Sequence, residues 1–350
     1  MIVEWNRVRE IADGIFLTIG RTPLVNLKKI PSVEDVRARV LVKLEYMNPT
    51  GSLKDRIYFE MITKAIRRGS LKPGMEILEA STGNAGIACS FVGTTLGYKV
   101  TVVMPEGMSR ERQKIVRAYG ANIITTPGGE SDVDLCLRKI EELKKSSPGK
   151  YWEPGQFSNK DNLSAHYKTT GPEIWEQSGG NIDCFLASQG TGGTLTGVGR
   201  FLKEKDEEIA LYAVEPREAP ILSRRQWGTH KIEGIGDGFV PRNLDLSRLK
   251  GIITACSDES IEMARTLSRV EGIFCGISSG CNVVAAIKVA RKHPELRTIV
   301  TMINDTGQRY FSTELCGEKK HVDVPERQHP LDDHTIDELN KYQSNWEIID

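Results

Sequence analysis

From Arg39 onward the chain repeats one pattern, a short run of β-branched and aliphatic residues followed by a longer segment with the apolar spacing of a helix. Runs at 40–44, 76–78, 99–104 and 122–125 alternate with helical stretches at 52–68, 85–96, 110–119 and 132–145. Strands separated by a helix pair in parallel, because the helix carries the chain back across the sheet. The pattern therefore predicts an α/β protein with mostly parallel sheets covered by helices. After a turn-rich segment at 146–155 the rhythm resumes, with a helix at 162–177, strands at 183–188, 210–214, 251–254 and 298–303, and helices at 260–270 and 280–292. Two lobes are expected: a smaller mobile one from 48–158, and a larger one from 1–47 plus 159–316. Residues 221–243 show no clear period and make a long connection of the kind that often carries function. The polar stretch 317–350, with Pro325, Pro330 and a helical candidate at 333–343, reads as a tail packed loosely on the surface.

Charge and composition narrow the function classes. Lys plus Arg equals Asp plus Glu, 47 against 47 over 350 residues, so no overall positive field draws nucleic acid or an anionic membrane. Glu4, Arg7, Arg9 and Glu10 interrupt the start of the chain, and no later run is long enough to span a bilayer, which points to a cytoplasmic protein acting on a small molecule. Seven cysteines lie scattered without a C-x-x-C pair, mostly in apolar runs, and read as buried free thiols. The six histidines have no ligand-type spacing, so no metal is expected.

Three turns carry the chemistry. Gly190-Thr191-Gly192-Gly193-Thr194 sits between a strand and a helix, where backbone amides, threonine hydroxyls and the positive helix end favour a phosphate. It is neither a P-loop nor G-x-G-x-x-G, and alone it could be a tight packing corner. Asn48 through Arg56 delivers Lys54 onto the first turn of a predicted helix. The helix dipole there shifts an ammonium towards the neutral amine that forms a Schiff base, although a solvated lysine beside Asp55 is the simpler reading of that segment alone. Ser81-Thr82-Gly83-Asn84-Ala85 again follows a strand and opens a helix, as an anion loop or as a helix cap. Three donor-rich turns on successive α/β units point to one anionic ligand at the sheet edges.

Together with Gly20-Arg21-Thr22-Pro23-Leu24, residues 169–175, Gly234-Ile235-Gly236, Gly276-Ile277-Ser278-Ser279-Gly280 and residues 306–310, these segments resemble the cysteine synthase family over roughly 15–315. The resemblance implies a two-lobe fold type II pyridoxal-phosphate enzyme with the cofactor in the cleft between lobes. It implies that Lys54 carries pyridoxal 5′-phosphate, that Gly190 through Thr194 bind its phosphate, and that Asn84 meets its 3′-oxygen. It also implies that Ser81 through Ala85 and Gln156 hold the substrate carboxylate, and that Thr306 supplies the hydroxyl facing the pyridine nitrogen. A neutral hydroxyl there restrains the ring as an electron sink and disfavours transamination. The implied reaction replaces the β-substituent of O-acetylserine or O-phosphoserine with sulfide, through aminoacrylate, giving L-cysteine. A homodimer and a partnership with serine acetyltransferase follow from the same likeness.

Departures from the family pattern bear on specificity. Ser81-Thr82 and Ala85 stand where Thr-Ser and Thr are usual, removing one hydroxyl, and Gly155 replaces an asparagine before Gln156. Arg224-Arg225 replace a Gly-Gly pair in the long connection. They are candidate contacts for a phosphate leaving group, against the plainer reading of a solvated pair. Cystathionine β-synthase chemistry, another β-replacement or elimination on serine derivatives, and a cofactor-bearing regulatory partner of serine acetyltransferase are the competing readings.

Overall fold

A computed structural model describes residues 11–129, 132–317 and 329–350. Its strands are β1 (Leu24–Asn26), β2 (Arg39–Leu44), β3 (Glu76–Ala80), β4 (Lys99–Pro105), β5 (Asn122–Thr126), β6 (Tyr151–Trp152), β7 (Cys184–Ser188), β8 (Ala210–Pro216), β9 (Gly251–Ala255), β10 (Thr298–Ile303) and β11 (Glu347–Ile349). Its α-helices are α1 (Ile30–Val33), α2 (Lys54–Arg67), α3 (Asn84–Thr95), α4 (Arg110–Ala118), α5 (Val133–Ser146), α6 (Lys160–Ala165), α7 (Gly171–Ser178), α8 (Gly193–Lys205), α9 (Ile221–Arg224), α10 (Ser257–Thr266), α11 (Ile277–Lys292) and α12 (Asp333–Tyr342).

The strands form two sheets, one of order β1-β2-β10-β7-β8-β9-β11 and one of order β5-β4-β3-β6. Every pairing is parallel except β1 with β2, as the helix between consecutive strands requires. The interior strand β10 is buried along its whole length and reads Thr-Ile-Val-Thr-Met-Ile, the continuous apolar and β-branched run of a strand covered on both faces. Helix α11 is buried over thirteen of its sixteen residues, so it lies inside the larger half rather than on its surface. Helix α3 is similarly immersed, from Ala85 to Gly93, against β3 and β4.

Two expectations change. The helix read at 162–177 is three pieces, with the π-helical turn His166–Thr170 joining α6 to α7. The described part of the tail, 329–350, is not loosely packed: β11 pairs with β9 in register Glu347 to Gly251, and α12 buries Leu339 completely. Trp346 and Ile349 are also buried, and Val240 donates its amide to Thr335 Oγ1 at 2.9 Å. A few well-spaced apolar side chains anchor this segment, and their sparseness among polar residues hides them from composition. No helix among the described residues is long and apolar enough to cross a membrane. The described cysteines are free thiols, five of them buried and Cys316 exposed.

The carboxyl ends of β3, β7 and β10 lead into residues 81–83, 189–192 and 304–306 respectively, where ligands of open parallel sheets bind.

Candidate active site

A single cleft gathers Lys54, Ser81, Thr82, Asn84, Ala85, Gln156, Gly190, Thr191, Gly192 and Thr194, residues drawn from both sheets. Lys54 is the first residue of α2, as its motif suggested. Burial lowers the affinity of its amine for a proton, and Asp237, Asp305 and Glu79 only partly oppose that. The result favours the neutral amine that a Schiff base or a proton acceptor needs.

The Gly-rich turn is shaped by close approaches. A Cβ on Gly190 would lie 2.7 Å from the Gly234 carbonyl oxygen, and one on Gly193 would lie 1.9 Å from Asn162 Oδ1. Gly192 has φ +76°, a left-handed conformation natural to glycine. The amides that follow open α8 and have no carbonyl one turn back, so they are donors for an anion. Asn162 Nδ2 donates to Thr191 Oγ1 at 3.0 Å, leaving the threonine O–H to donate into the cleft. Thr194 Oγ1 lies 3.2 Å from Nε2 of His166, which burial, together with the charge of Arg56, holds down at about 3 and therefore neutral. Hydroxyl and amide donors without a carboxylate in the turn fit a phosphate group, and Lys54 across the cleft fits its carbonyl-bearing partner. These residues suit pyridoxal phosphate.

The second loop is braced from within. Ser81 Oγ accepts the amides of Gly83 at 3.0 Å and Gly86 at 2.7 Å, so its oxygen builds the loop while Thr82 and Ala85 line the cleft. A Cβ on Gly83 would strike the Arg112 side chain at 2.2 Å, which brings the buried Arg112 directly over the loop. Asn84 Nδ2 donates to Asp305 Oδ2 at 2.7 Å, and its oxygen accepts from Arg309. Tyr310 donates to the same Asp305 oxygen at 2.8 Å. Gln156 reaches the cleft with its amide hydrogens held by Glu79 Oε1 at 3.1 Å and the Ala80 carbonyl at 3.0 Å. As placed, it presents an acceptor rather than the donor a carboxylate requires.

Two sequence assignments are displaced. Thr306 does not line the cleft; its hydroxyl caps the amide of Gln308 at 3.3 Å, because the chain turns into a 3-10 helix there. Two hydroxyls beside Asn304 do line it: Ser278, 3% exposed, accepts from Asn304 Nδ2 at 3.1 Å, and Ser188 accepts from the same nitrogen at 3.2 Å. Arg224 and Arg225 also stay outside the cleft. Arg224 pairs with Asp350 at 2.7 Å, and Arg225 donates to Gln343 at 2.7 Å and Asn340 at 2.8 Å, so the C-terminal segment takes both guanidinium groups.

Sequence reasoning also passed over Asp237, which lines the cleft, and a buried knot behind Lys54. In that knot Arg56 donates to Glu45 at 2.7 and 2.8 Å and to Glu173 at 2.7 and 2.8 Å. Arg56 and Glu173 both sit in motifs quoted for the family likeness, which was the available signal. One cluster of ligand-type atoms lies among the described residues, Asp132, Asp134 and His329 within 4.8 Å of one another, and none of the three lines the cleft.

Comparison with known proteins agrees with this geometry. The family model described as pyridoxal-phosphate dependent enzyme matches residues 15–305. The cysteine synthase of Staphylococcus aureus strain Mu50 is 45% identical over 304 residues, covering 87% of this chain and 96% of its own. Cysteine synthase A of Escherichia coli strain K12 is 44% identical over 315 residues, with the same coverage. The crystal structure of the cysteine synthase of Entamoeba histolytica superposes with a TM-score of 0.85 at 38% identity, covering 98% of each chain. A lysine at a helix start, a phosphate turn and a donor loop around one cleft thus meet sequence identity along nearly the whole chain, and the protein belongs to the pyridoxal-phosphate dependent enzymes, within the cysteine synthase family.

Proposed function

We propose that this enzyme makes L-cysteine by replacing the oxygen-linked β-substituent of an activated serine, O-acetylserine or O-phosphoserine, with sulfide. The observation that carries the reading is the convergence of Lys54, the 190–194 turn and the 81–85 loop on one cleft; relatives bearing the name cysteine synthase support it. Pyridoxal phosphate, held by Lys54 and the phosphate turn, supplies the electron sink that makes the α-proton of an attached amino acid removable. Lys54 Nζ, favoured in its neutral form, accepts that proton from Cα. The amides opening α3 and the Thr82 hydroxyl bind the substrate carboxylate at the positive end of a twelve-residue helix. Residues 48–158 act as the smaller lobe and close over the cleft when that carboxylate engages, excluding water from the reacting centre.

Ser278 is the hydroxyl assigned to the pyridine nitrogen in place of Thr306. Ser278→Ala removes one neutral hydrogen bond, about 1 kcal/mol, and is expected to weaken cofactor affinity about fivefold. Thr306→Ala leaves that affinity unchanged. Equilibrium dialysis of pyridoxal phosphate against both variants distinguishes the two positions, and an equal loss in each would return the role to Thr306.

Donor choice is tested by following the visible spectrum of the cofactor-loaded enzyme as O-acetylserine, O-phosphoserine and serine are added in turn, then sulfide. One donor is expected to change the spectrum and sulfide to reverse the change with cysteine as product. If homocysteine reverses it and sulfide does not, the cystathionine-forming reading takes its place. If no donor acts, a regulatory role does. With Arg224 and Arg225 engaged by the C-terminal segment, a preference for the phosphate ester has no support from that pair. The proposal extends to a cytoplasmic homodimer able to engage serine acetyltransferase. It rests on the family likeness and is checked by light scattering of the chain alone and with that partner.

A further inference from the structure

Asn84, which lines the cleft, is gripped from two sides by groups of opposite charge. Its Oδ1 accepts from the Arg309 guanidinium, and its Nδ2 donates to Asp305 Oδ2 at 2.7 Å. A carboxylate only accepts and a guanidinium only donates, so together they decide which end of the amide is which. Turned over, the amide would set its oxygen against Asp305 and its hydrogens against Arg309. Nδ2 carries two hydrogens; Asp305 takes one, and the other has no partner among the described residues. Asn84 is the first residue of α3, and its remaining hydrogen is available to a ligand in the cleft.

Arg309 is fully buried on the 3-10 helix Gly307–Tyr310. Burial disfavours its charge, and the carboxylates of Asp305 and Asp55 support it. The same guanidinium donates to the Thr50 carbonyl, with Thr50 Oγ1 3.4 Å from Nη2. Thr50 belongs to the turn that delivers Lys54, and that turn is laced to the strand end beside Arg309. The Leu53 amide donates to the Asn304 carbonyl at 3.0 Å, and the Thr306 amide donates to the Gly51 carbonyl at 3.0 Å. One side chain therefore ties the lysine turn to the donor loop. Arg309 does not itself line the cleft, so its charge reaches a ligand there through the Asn84 amide. A guanidinium on Oδ1 polarises that amide and strengthens its N–H as a donor, without placing a cation against the ligand.

We propose that Arg309 is a positioning residue for the cofactor: with Asp305 it orients the Asn84 amide so that the remaining N–H donates to the 3′-oxygen of pyridoxal phosphate. That oxygen bears negative charge when ionised, and a polarised donor held towards it supports the ionised form. The inference rests on the reading of Asn84 as the partner of that oxygen.

The test compares two probes, pyridoxal phosphate and 3-deoxypyridoxal 5′-phosphate, which lacks the oxygen. Equilibrium dialysis against the full-length enzyme freed of cofactor gives the ratio of their affinities. What the oxygen does within the cofactor is common to every variant, so the change in ratio is the readout. Asn84→Ala is expected to lower the ratio about tenfold, the loss of one hydrogen bond from a polarised donor. Arg309→Met should lower it about fivefold on its own and not at all when added to Asn84→Ala. Arg309→Lys, which keeps the charge, should recover part of that loss. The absorption maximum of bound pyridoxal phosphate should move in the same direction in Asn84→Ala and Arg309→Met. A residue that only held the fold together would weaken both probes alike. Should Arg309→Met fail to fold, Arg309→Lys and Asp305→Asn carry the same comparison, each with a smaller fall in ratio than Asn84→Ala. Two results overturn the proposal: a ratio unchanged by the Arg309 and Asp305 variants while Asn84→Ala lowers it, or the same fall from Arg309→Met with Asn84 present or absent. An unchanged ratio in Asn84→Ala would remove the reading of Asn84 and this inference with it, while cysteine formation is judged separately by the donor and sulfide experiment above.

Discussion

Replacing Lys54 by alanine is expected to lower the turnover of cysteine formation roughly 1,000-fold or more, the scale of losing a positioned proton acceptor together with the covalent anchor of the cofactor. The stronger test is Lys54→Arg. Arginine keeps the charge and length that a solvated surface lysine would need, but it cannot give up its proton. The same loss is therefore expected for both variants, whereas a merely structural lysine would tolerate arginine. The half-buried site explains why a lysine can work here: burial favours the neutral amine, and the first turn of α2 adds a positive helix end beside it. A small exogenous amine should restore part of the activity of Lys54→Ala and none of that of Lys54→Arg, whose side chain still fills the space. Steady-state turnover with and without the amine measures this.

The second large effect is on stability. Arg56 is buried between Glu45 and Glu173, and Glu173 also pairs with Lys43 at 2.7 Å. Removing one partner of a buried ion pair leaves the others uncompensated, so Arg56→Met is expected to destabilise the fold by about 3–5 kcal/mol, read as a lower urea midpoint. The knot also predicts a pH dependence. Burial alone would raise the Glu45 carboxyl, but the charge and hydrogen bond of Arg56, with Lys43 and Thr22, hold it at about 2. A folded-state value below the unfolded one means that the unfolded chain binds the proton more readily. The contribution, about 3 kcal/mol, is therefore complete above roughly pH 4.5 and lost as pH falls towards 2. Buried neutral His166 adds its own acid sensitivity, beginning nearer pH 6.5 and extending to about 3. The difference between the unmodified protein and Glu45→Gln isolates the carboxylate component, and identical acid profiles for the two would refute it.

The parts legible in the sequence share a property. The strand–helix rhythm, the phosphate turn at 190–194 and the placement of Lys54 at a helix start all depend on neighbours in the chain. Glycine at a turn that demands φ above zero, or a donor cluster opening a helix, can be recognised from a few adjacent residues. The errors share the opposite property. Thr306 and Ser278 are both hydroxyls in recognisable motifs, and choosing between them needs the direction in which each leaves the backbone, after β10 and in the first turn of α11. Arg224 and Arg225, which depart from the family pattern in the long connection, read from sequence as candidate phosphate contacts or a solvated pair, yet partners more than a hundred residues away take both side chains. Those partners lie in the segment whose composition suggested a loose tail, so one misreading supported the other.

By itself, then, the sequence determined the α/β class, the lysine and the phosphate turn, because period, turn chemistry and helix ends are local quantities. Only the tertiary structure decided that Asp237 and Lys54 line one cleft, that Ser278 rather than Thr306 lines it, that Arg56 locks Glu45 to Glu173, and that residues 347–349 complete a sheet. Each of these is a meeting of side chains or strands brought together by packing, and its free energy comes from desolvation and contact across the fold rather than from any neighbour along the chain.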